Sequence, residues 1–540
     1  MIFPGRRAAV SFLLLAPLAA AGEAMADQVR TRAGVVEGVT DADVRTFLGL
    51  PYAAPPVGDL RWREPQPVAP WPGVRKAAAF GPRCPQARIF DDMVFRDEPS
   101  ADCLYLNVWT PARSADAKLP VMVWIHGGGF QAGSASEPRQ DGARLARKGV
   151  VVVGINYRLG VFGFLAHPSL TEESGRGASG NQGLIDQVAA LRWVRENIAA
   201  FGGDPENVTI FGESAGSFAV SALVASPLAR GLVHRAIGES GAYVGRHALD
   251  PKGLAASEEL GSKLAASLGA DSLAALRAKP ADEVLKAALA LRLQPGFAPS
   301  VDGYVWPKDP NDIYAAGEQA RVPLLAGSNA DEVRAGVVLG KERPTATSFA
   351  EQTRSRFGAA ADSLLKVYPA GSDEEAVESA AALAGDLFLA YATWKWTDVH
   401  GRTGGAPVYR YSFDRKIPVA PGTKVNGKPA TAADVGARHA GEIEYVFGAL
   451  DSQPTVPWEA TDRQLSDLLM SYWSNFARTG DPNGPGLPPW PRYHADGGFP
   501  VMHLDVTSGA RPDTLRARYE ALDAVLAGPR RDAPPPQEPK

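Results

Sequence analysis

The chain has 540 residues, 45% of them apolar and 21% charged, with a formal net charge of −4. That balance belongs to a protein with buried cores, not to a fibre or a disordered chain. Fifty-six glycines and 45 prolines demand many turns, and the absence of any block of five or more like charges sets nucleic acid aside as a partner.

Residues 1–26 open with Arg6 and Arg7, run through an apolar stretch at 8–21 and end on small residues around Met25. This is the layout of a secretory signal, with cleavage expected after Ala26. The apolar run is too short for a spanning helix and Pro17 interrupts it, so no membrane anchor is expected. The arginine pair leaves general secretory and twin-arginine export both open. The expected product is an exported protein, periplasmic or secreted. Its two cysteines, Cys84 and Cys103, then meet an oxidising compartment, where a bond between them is the default and staples the loop they enclose.

The rest reads as one domain, 27–527, because no linker divides it and no repeat of 20–50 residues occurs. Residues 121–125 and 150–155 are short, continuous apolar runs, as strands covered on both faces require. Residues 181–200 carry Leu184, Val188, Leu191, Val194 and Ile198 at helical spacing. A strand is predicted at 208–211 and a helix at 215–224. Alternating strands and helices predict an α/β fold with a mostly parallel central sheet flanked by helices. Residues 528–540 are proline-rich without apolar periodicity and are expected to be a disordered tail.

The turn between the last strand and helix reads Gly212-Glu213-Ser214-Ala215-Gly216. A G-x-S-x-G turn of this kind projects a serine hydroxyl from a sharp strand-to-helix corner, above the amides that open the helix. By itself the pattern is common in glycine-rich chains, and its weight comes from the flanking elements. A serine attacks only when a base takes its proton and a carboxylate steadies that base. In this fold class the chain order is serine, acid, histidine. Six histidines follow Ser214, and His234 and His247 leave little room for an intervening acid. His439, between a long loop at 416–436 and the ordered EIEYVFG segment, is the preferred base, while His400 and His494, in polar surroundings, read as surface residues. For the acid, the apolar run 322–327 releases Asp331 and Glu332, either of which could serve. The glycines after His126, at 127–129, let backbone amides approach a small anion closely and are candidates for holding an oxyanion.

Longer stretches give these residues a context. ADCLYLNVWTP at 101–111, VMVWIHGGGF at 121–130, NYRLGVFGFL at 156–165, FGGDPENVTIFGESAG at 201–216, GSNADE at 327–332 and RHAGEIEYVFG at 438–448 together resemble the type-B carboxylesterase and cholinesterase family of α/β-hydrolases. The resemblance runs over most of residues 29–520. It implies an α/β-hydrolase fold with inserted loops and helices, and a serine esterase using Ser214 as nucleophile, Glu332 as acid and His439 as base. It further implies an oxyanion hole from the amides of Gly128, Gly129 and Ala215, a disulfide between Cys84 and Cys103, and Ser240 in support behind the triad.

No tryptophan lies between the cysteines, where cholinesterases hold a cationic alcohol, so a choline ester is disfavoured. The entire chain is also similar to a bacterial member of the family that releases tricarballylate from its esters. A polyanionic acyl group calls for arginine, whose fork matches a carboxylate, and Arg88, Arg334 and Arg438 are the candidate contacts. A broad aliphatic or aryl carboxylesterase is the alternative, and a noncatalytic binding module on the same scaffold is a third reading. The only G-x-G-x-x-G match, 175–180, follows no strand, and no zinc-ligand pattern is present, so no cofactor and no metal are expected. The expected partner is a small-molecule ester; the sequence fixes no oligomeric state.

Overall fold

The computed structural model describes residues 25–90, 93–246, 250–293, 296–333, 343–425 and 427–527. Most of the expected leader, residues 1–24, the candidate Arg334 and the tail 528–540 lie outside the described residues.

Strands β1 (Met25–Arg30), β2 (Val35–Asp41), β3 (Val44–Pro51), β4 (Val74–Lys76), β5 (Tyr105–Thr110), β6 (Leu119–Ile125) and, after a one-turn helix at Ala143–Ala146, β7 (Val151–Ile155) precede the first long helix. Then helices enter: α1 (Gln182–Asn197), β8 (Gly203–Glu213), α2 (Ala215–Ala225), β9 (Arg235–Glu239), α3 (Ala281–Ala290), β10 (Leu324–Asn329), α4 (Tyr391–Thr403), β11 (Val408–Phe413), α5 (Ile443–Val446), α6 (Ala460–Thr479), β12 (Pro500–Leu504) and β13 (Gly509–Pro512). They join one sheet in the order β1-β2-β3-β5-β7-β6-β8-β9-β10-β11-β12-β13, with β4 beside β2. From β7 to β12 every neighbour is parallel. The antiparallel pairings flank this centre: β1 to β5 and on to β7 on one side, β13 on the other. This is the mostly parallel α/β sheet that the alternation of elements predicts, and it agrees with the α/β-hydrolase fold that the resemblance implies.

The continuous apolar runs are explained by the two faces they serve. Val121, Val123 and Ile125 of β6 join the core on one face, and Met122 and Trp124 join the core on the other. β7 divides likewise, with Val151, Val153 and Ile155 against Val152. Each such fully buried side chain contributes about 1.5–3 kcal/mol relative to exposure. α2 packs on β8 and β9 from the first face and α6 on β6 and β8 from the second. Every residue of α2 is buried, which is why its sequence is apolar all round.

Several boundaries differ from the sequence reading, and two of them show why. β8 starts at Gly203, five residues before the apolar run, because Gly203 pairs with Leu119 ahead of an irregularity in the ladder and the intervening residues are polar. β10 starts at Leu324, after Pro323, which has no amide to donate to a ladder. At the other end, Met25 and Ala26 pair with Thr40 and Val39, so backbone pairing continues through the expected cleavage point.

Cys84 and Cys103 are joined by a disulfide and both are buried. Closing a loop of this length removes unfolded-state entropy worth about 3 kcal/mol. A Cys84→Ser/Cys103→Ser variant is expected to lose roughly that much in urea unfolding, and reductant should shift the wild-type midpoint and leave that of the variant alone. An unshifted wild-type midpoint contradicts the staple.

Candidate active site

The corner between β8 and α2 is built from close approaches. A methyl group at Gly216 would sit 2.0 Å from the Ile125 carbonyl oxygen, and one at Gly212 would sit 2.6 Å from the same atom. Only hydrogen fits at either place, so the chain folds back tightly against the end of β6. Ser214 itself takes φ 56°, a left-handed conformation that costs a non-glycine residue about 1–2 kcal/mol. Its amide donates to the Glu239 carbonyl at 2.8 Å, and its own carbonyl accepts the Phe218 amide at 2.9 Å as α2 begins. Both bonds hold the strained residue in place.

His439, 225 positions further along the chain, stands against this serine with its Nε2 3.0 Å from Ser214 Oγ. Its Nδ1 is 2.7 Å from Glu332 Oε2, so the Nδ1–H donates to the carboxylate and Nε2 is free to accept the serine proton. The second oxygen of Glu332 accepts from the Asn329 amide at 2.8 Å and from the Ser240 hydroxyl. The ambiguity between the adjacent carboxylates is thereby resolved. Glu332 is buried at the end of β10, whereas Asp331 is exposed and accepts the Ala437 amide at 2.8 Å. Asp331 therefore fastens the loop that carries His439 and does not touch the imidazole. Of the two histidines read as surface residues, His494 is exposed and caps a short turn, whereas His400 is buried in α4, where its Nε2 meets the Val322 carbonyl.

Gly128, Gly129 and Phe130 take φ 104°, 64° and 58° in succession. A side chain at Gly128 would strike the Ala132 carbonyl at 2.1 Å, while Gly129 has open space beside it. Among the described residues neither amide is used by a protein acceptor. The Phe130 carbonyl accepts the Gly160 amide at 2.6 Å, and the ring packs edge-on against Tyr157 and Phe164, which fixes the loop. Gly128, Gly129 and Ala215 line the same cavity as Ser214 and His439, a placement that suits amides meant to hold a developing oxyanion.

One charged neighbour escaped the sequence reading. Glu213, the variable residue before the serine, is buried with Oε1 3.2 Å from His439 Nε2, off the line of a hydrogen bond. A carboxylate at that place in an otherwise apolar segment was the available signal. Burial lifts its carboxyl to about 7. Glu239 and Glu442 are buried close by. Burial, then the charges of Glu213 and Glu332, lift Glu442 to about 8, and burial with Glu442 raises Glu239 well above the usual carboxylate range. Burial alone would disfavour the imidazolium of His439, but the charges of Glu213 and Glu332 outweigh it and hold the group up at about 9.

The cavity above the serine has a volume of about 760 Å³. Its walls include Ile89 and Phe90 of the disulfide loop, Leu289 of α3 and Phe388 before α4. Neither Arg88 nor Arg438 is among the lining residues. Arg88 is exposed on the disulfide loop, and Arg438 is half-buried with its guanidinium on the His439 carbonyl at 3.3 Å. The two candidate carboxylate contacts that lie within the described residues are thus not gathered at the serine.

A strained serine at a strand-to-helix corner, a histidine on its hydroxyl, a carboxylate behind the histidine and free amides beside them define a hydrolase site on an α/β-hydrolase fold. The comparisons with known proteins agree. Residues 25–520 match the carboxylesterase family, and the chain belongs to that family. It is 39% identical to the fumonisin B1 esterase of Sphingopyxis macrogoltabida, over 89% of this chain and 87% of the relative. It is 38% identical to the para-nitrobenzyl esterase of Bacillus subtilis, over 87% and 93%. A solved carboxylesterase of Geobacillus stearothermophilus superposes with a TM-score of 0.78 at 33% identity, covering 92% of this chain and 99% of the other.

Because His439 accepts a proton only when neutral and is held neutral only above its raised pKa, kcat/KM should fall as pH drops through an acid limb above the ordinary imidazole value. Glu213→Gln removes one of the charges that raise it, so that limb should move down by about one pH unit. An acid limb unmoved by this substitution contradicts the electrostatic account.

Proposed function

We propose that this carboxylic-ester hydrolase works through an acyl-enzyme on Ser214. Ser214 Oγ attacks the ester carbonyl carbon while its proton passes to His439 Nε2, and Glu332, remaining ionised, steadies the imidazolium. The amides of Gly128, Gly129 and Ala215 bind the oxygen that becomes negative, each worth about 2.7–4 kcal/mol in the transition state by analogy with measured oxyanion donors. His439 then gives its proton to the departing alcohol. A water molecule, deprotonated by the same histidine, cleaves the acyl-enzyme and releases the carboxylic acid. The observation that carries this reading is the unbroken chain from Ser214 Oγ through both nitrogens of His439 to Glu332, with separations of 3.0 and 2.7 Å.

For the substrate, we propose fumonisin-type esters, in which tricarballylic acid is carried on a long aliphatic alcohol. Support comes from the 39% identity to a fumonisin B1 esterase and from a large, mainly apolar cavity able to take an alkyl chain. The apolar walls equally favour a second reading, a broad carboxylesterase acting on neutral aryl and aliphatic esters. The N-terminal sequence layout and a disulfide in the fold support export to the periplasm or beyond.

Mass spectrometry of the products from fumonisin B1, beside the rate on a neutral nitrophenyl ester, separates the two. Release of tricarballylic acid at a kcat/KM exceeding that for the neutral ester is expected; turnover of the neutral ester alone selects the broad reading. Ser214→Ala should abolish both activities, and retention of either removes Ser214 from its role.

A further inference from the structure

Among the described residues two arginines line the cavity above Ser214, and they differ in burial and pairing. Arg139 is buried and its Nε donates to Glu137 at 2.9 Å, so its charge is matched inside the protein. Arg292 is exposed, just past the C-terminal end of α3, and among the described residues it takes no ion-pair partner. The cavity it lines is mostly apolar. Nine large apolar side chains are exposed among the described residues, and four of them, Ile89, Phe90, Leu289 and Phe388, stand on the walls of this one cavity. They come from three separate parts of the chain, which argues for a ligand-binding rim and against scattered surface residues. An unmatched cation against apolar walls attracts an anion more strongly than one in open water. Among the described residues the lining holds one carboxylate, Glu213, buried beside His439, where it would repel an anionic group placed next to the imidazole.

We propose that Arg292 is a specificity-determining residue, which pairs with a free carboxylate on the acyl part of an amphiphilic ester while the apolar rim takes the alkyl chain. The inference rests on the serine-esterase reading and deepens it by naming the residue that selects anionic acyl groups. It replaces Arg88 and Arg438, which do not line the cavity. The backbone of Arg292 adds a constraint, since φ is 48° there, the left-handed position that ends many helices and usually belongs to glycine. A cation at that place also favours the end of the helix electrostatically, so a purely structural role is the competing explanation.

The test compares nitrophenyl esters of pentanoic and glutaric acid, which have acyl chains of equal length and differ in a terminal carboxylate. The readout is the ratio of kcat/KM for the charged ester to that for the neutral one. In Arg292→Gln the ratio should fall about ten- to a hundredfold, chiefly through KM. Arg292→Glu should lower it further, and Arg292→Lys should restore part of it. Arg292→Gly, which suits the backbone conformation and removes any strain, should lower the ratio like Arg292→Gln. Added salt should erode the wild-type ratio and leave that of Arg292→Gln nearly constant. A structural role predicts equal losses on both esters, and an unchanged ratio in these variants overturns the proposal. Turnover of both esters with that unchanged ratio leaves the esterase reading standing, whereas a wild-type protein that hydrolyses neither overturns both.

Discussion

The constraint on which the site depends is the contact of the nucleophile turn with the end of β6. Gly212 and Gly216 both press on the Ile125 carbonyl at distances no methyl group could tolerate, and this holds Ser214 in its left-handed conformation. The same closeness brings the glycine loop after β6 alongside, since a side chain at Gly127 would meet the Glu213 carbonyl at 2.7 Å and Ser214 Cβ at 3.1 Å. The proposed nucleophile and oxyanion donors are therefore set by one packing event between adjacent parallel strands. Rigid elements place the reacting groups, and the serine needs no further ordering before attack.

His439 arrives from a different direction and is placed by hydrogen bonds instead of packing density. Asp331 anchors its loop by accepting the Ala437 amide, and Glu332 orients its ring. Adjacent carboxylates thus divide two jobs that the sequence alone could not apportion. Around them Glu213, Glu239 and Glu442 concentrate buried acidity, and each retains one oxygen without a protein hydrogen-bond partner among the described residues. Burial keeps part of this cluster protonated, while the ionised part stabilises the imidazolium that forms during attack. Catalysis is thereby biased toward the protonated histidine, at the expense of activity on the acidic side.

Much of this was legible in the sequence. Continuous apolar runs gave the parallel centre of the sheet because strands buried on both faces leave no other pattern. The glycine-bounded serine and the three glycines after His126 were readable because their backbones demand it. What escaped was masked by a stronger signal nearby or set by contacts far along the chain. Glu213 hid inside the motif that announced Ser214. Arg292 follows an ordinary amphipathic helix, and only the fold brings it to the cavity lining, which Arg88 and Arg438, closer in sequence to recognised features, do not join. The early polar residues of β8 gave no strand pattern, since their pairing follows from the neighbouring strand.

The central claim is that Ser214, activated by His439, forms a covalent bond to the substrate carbonyl. Its most direct test is intact-mass and peptide mapping of the protein after reaction with a serine-directed phosphonate. One adduct per chain, located on Ser214 and formed in proportion to lost activity, is the result this account predicts. An unmodified Ser214, or full activity with Ser214 blocked, would contradict it and point to a scaffold that binds without catalysing.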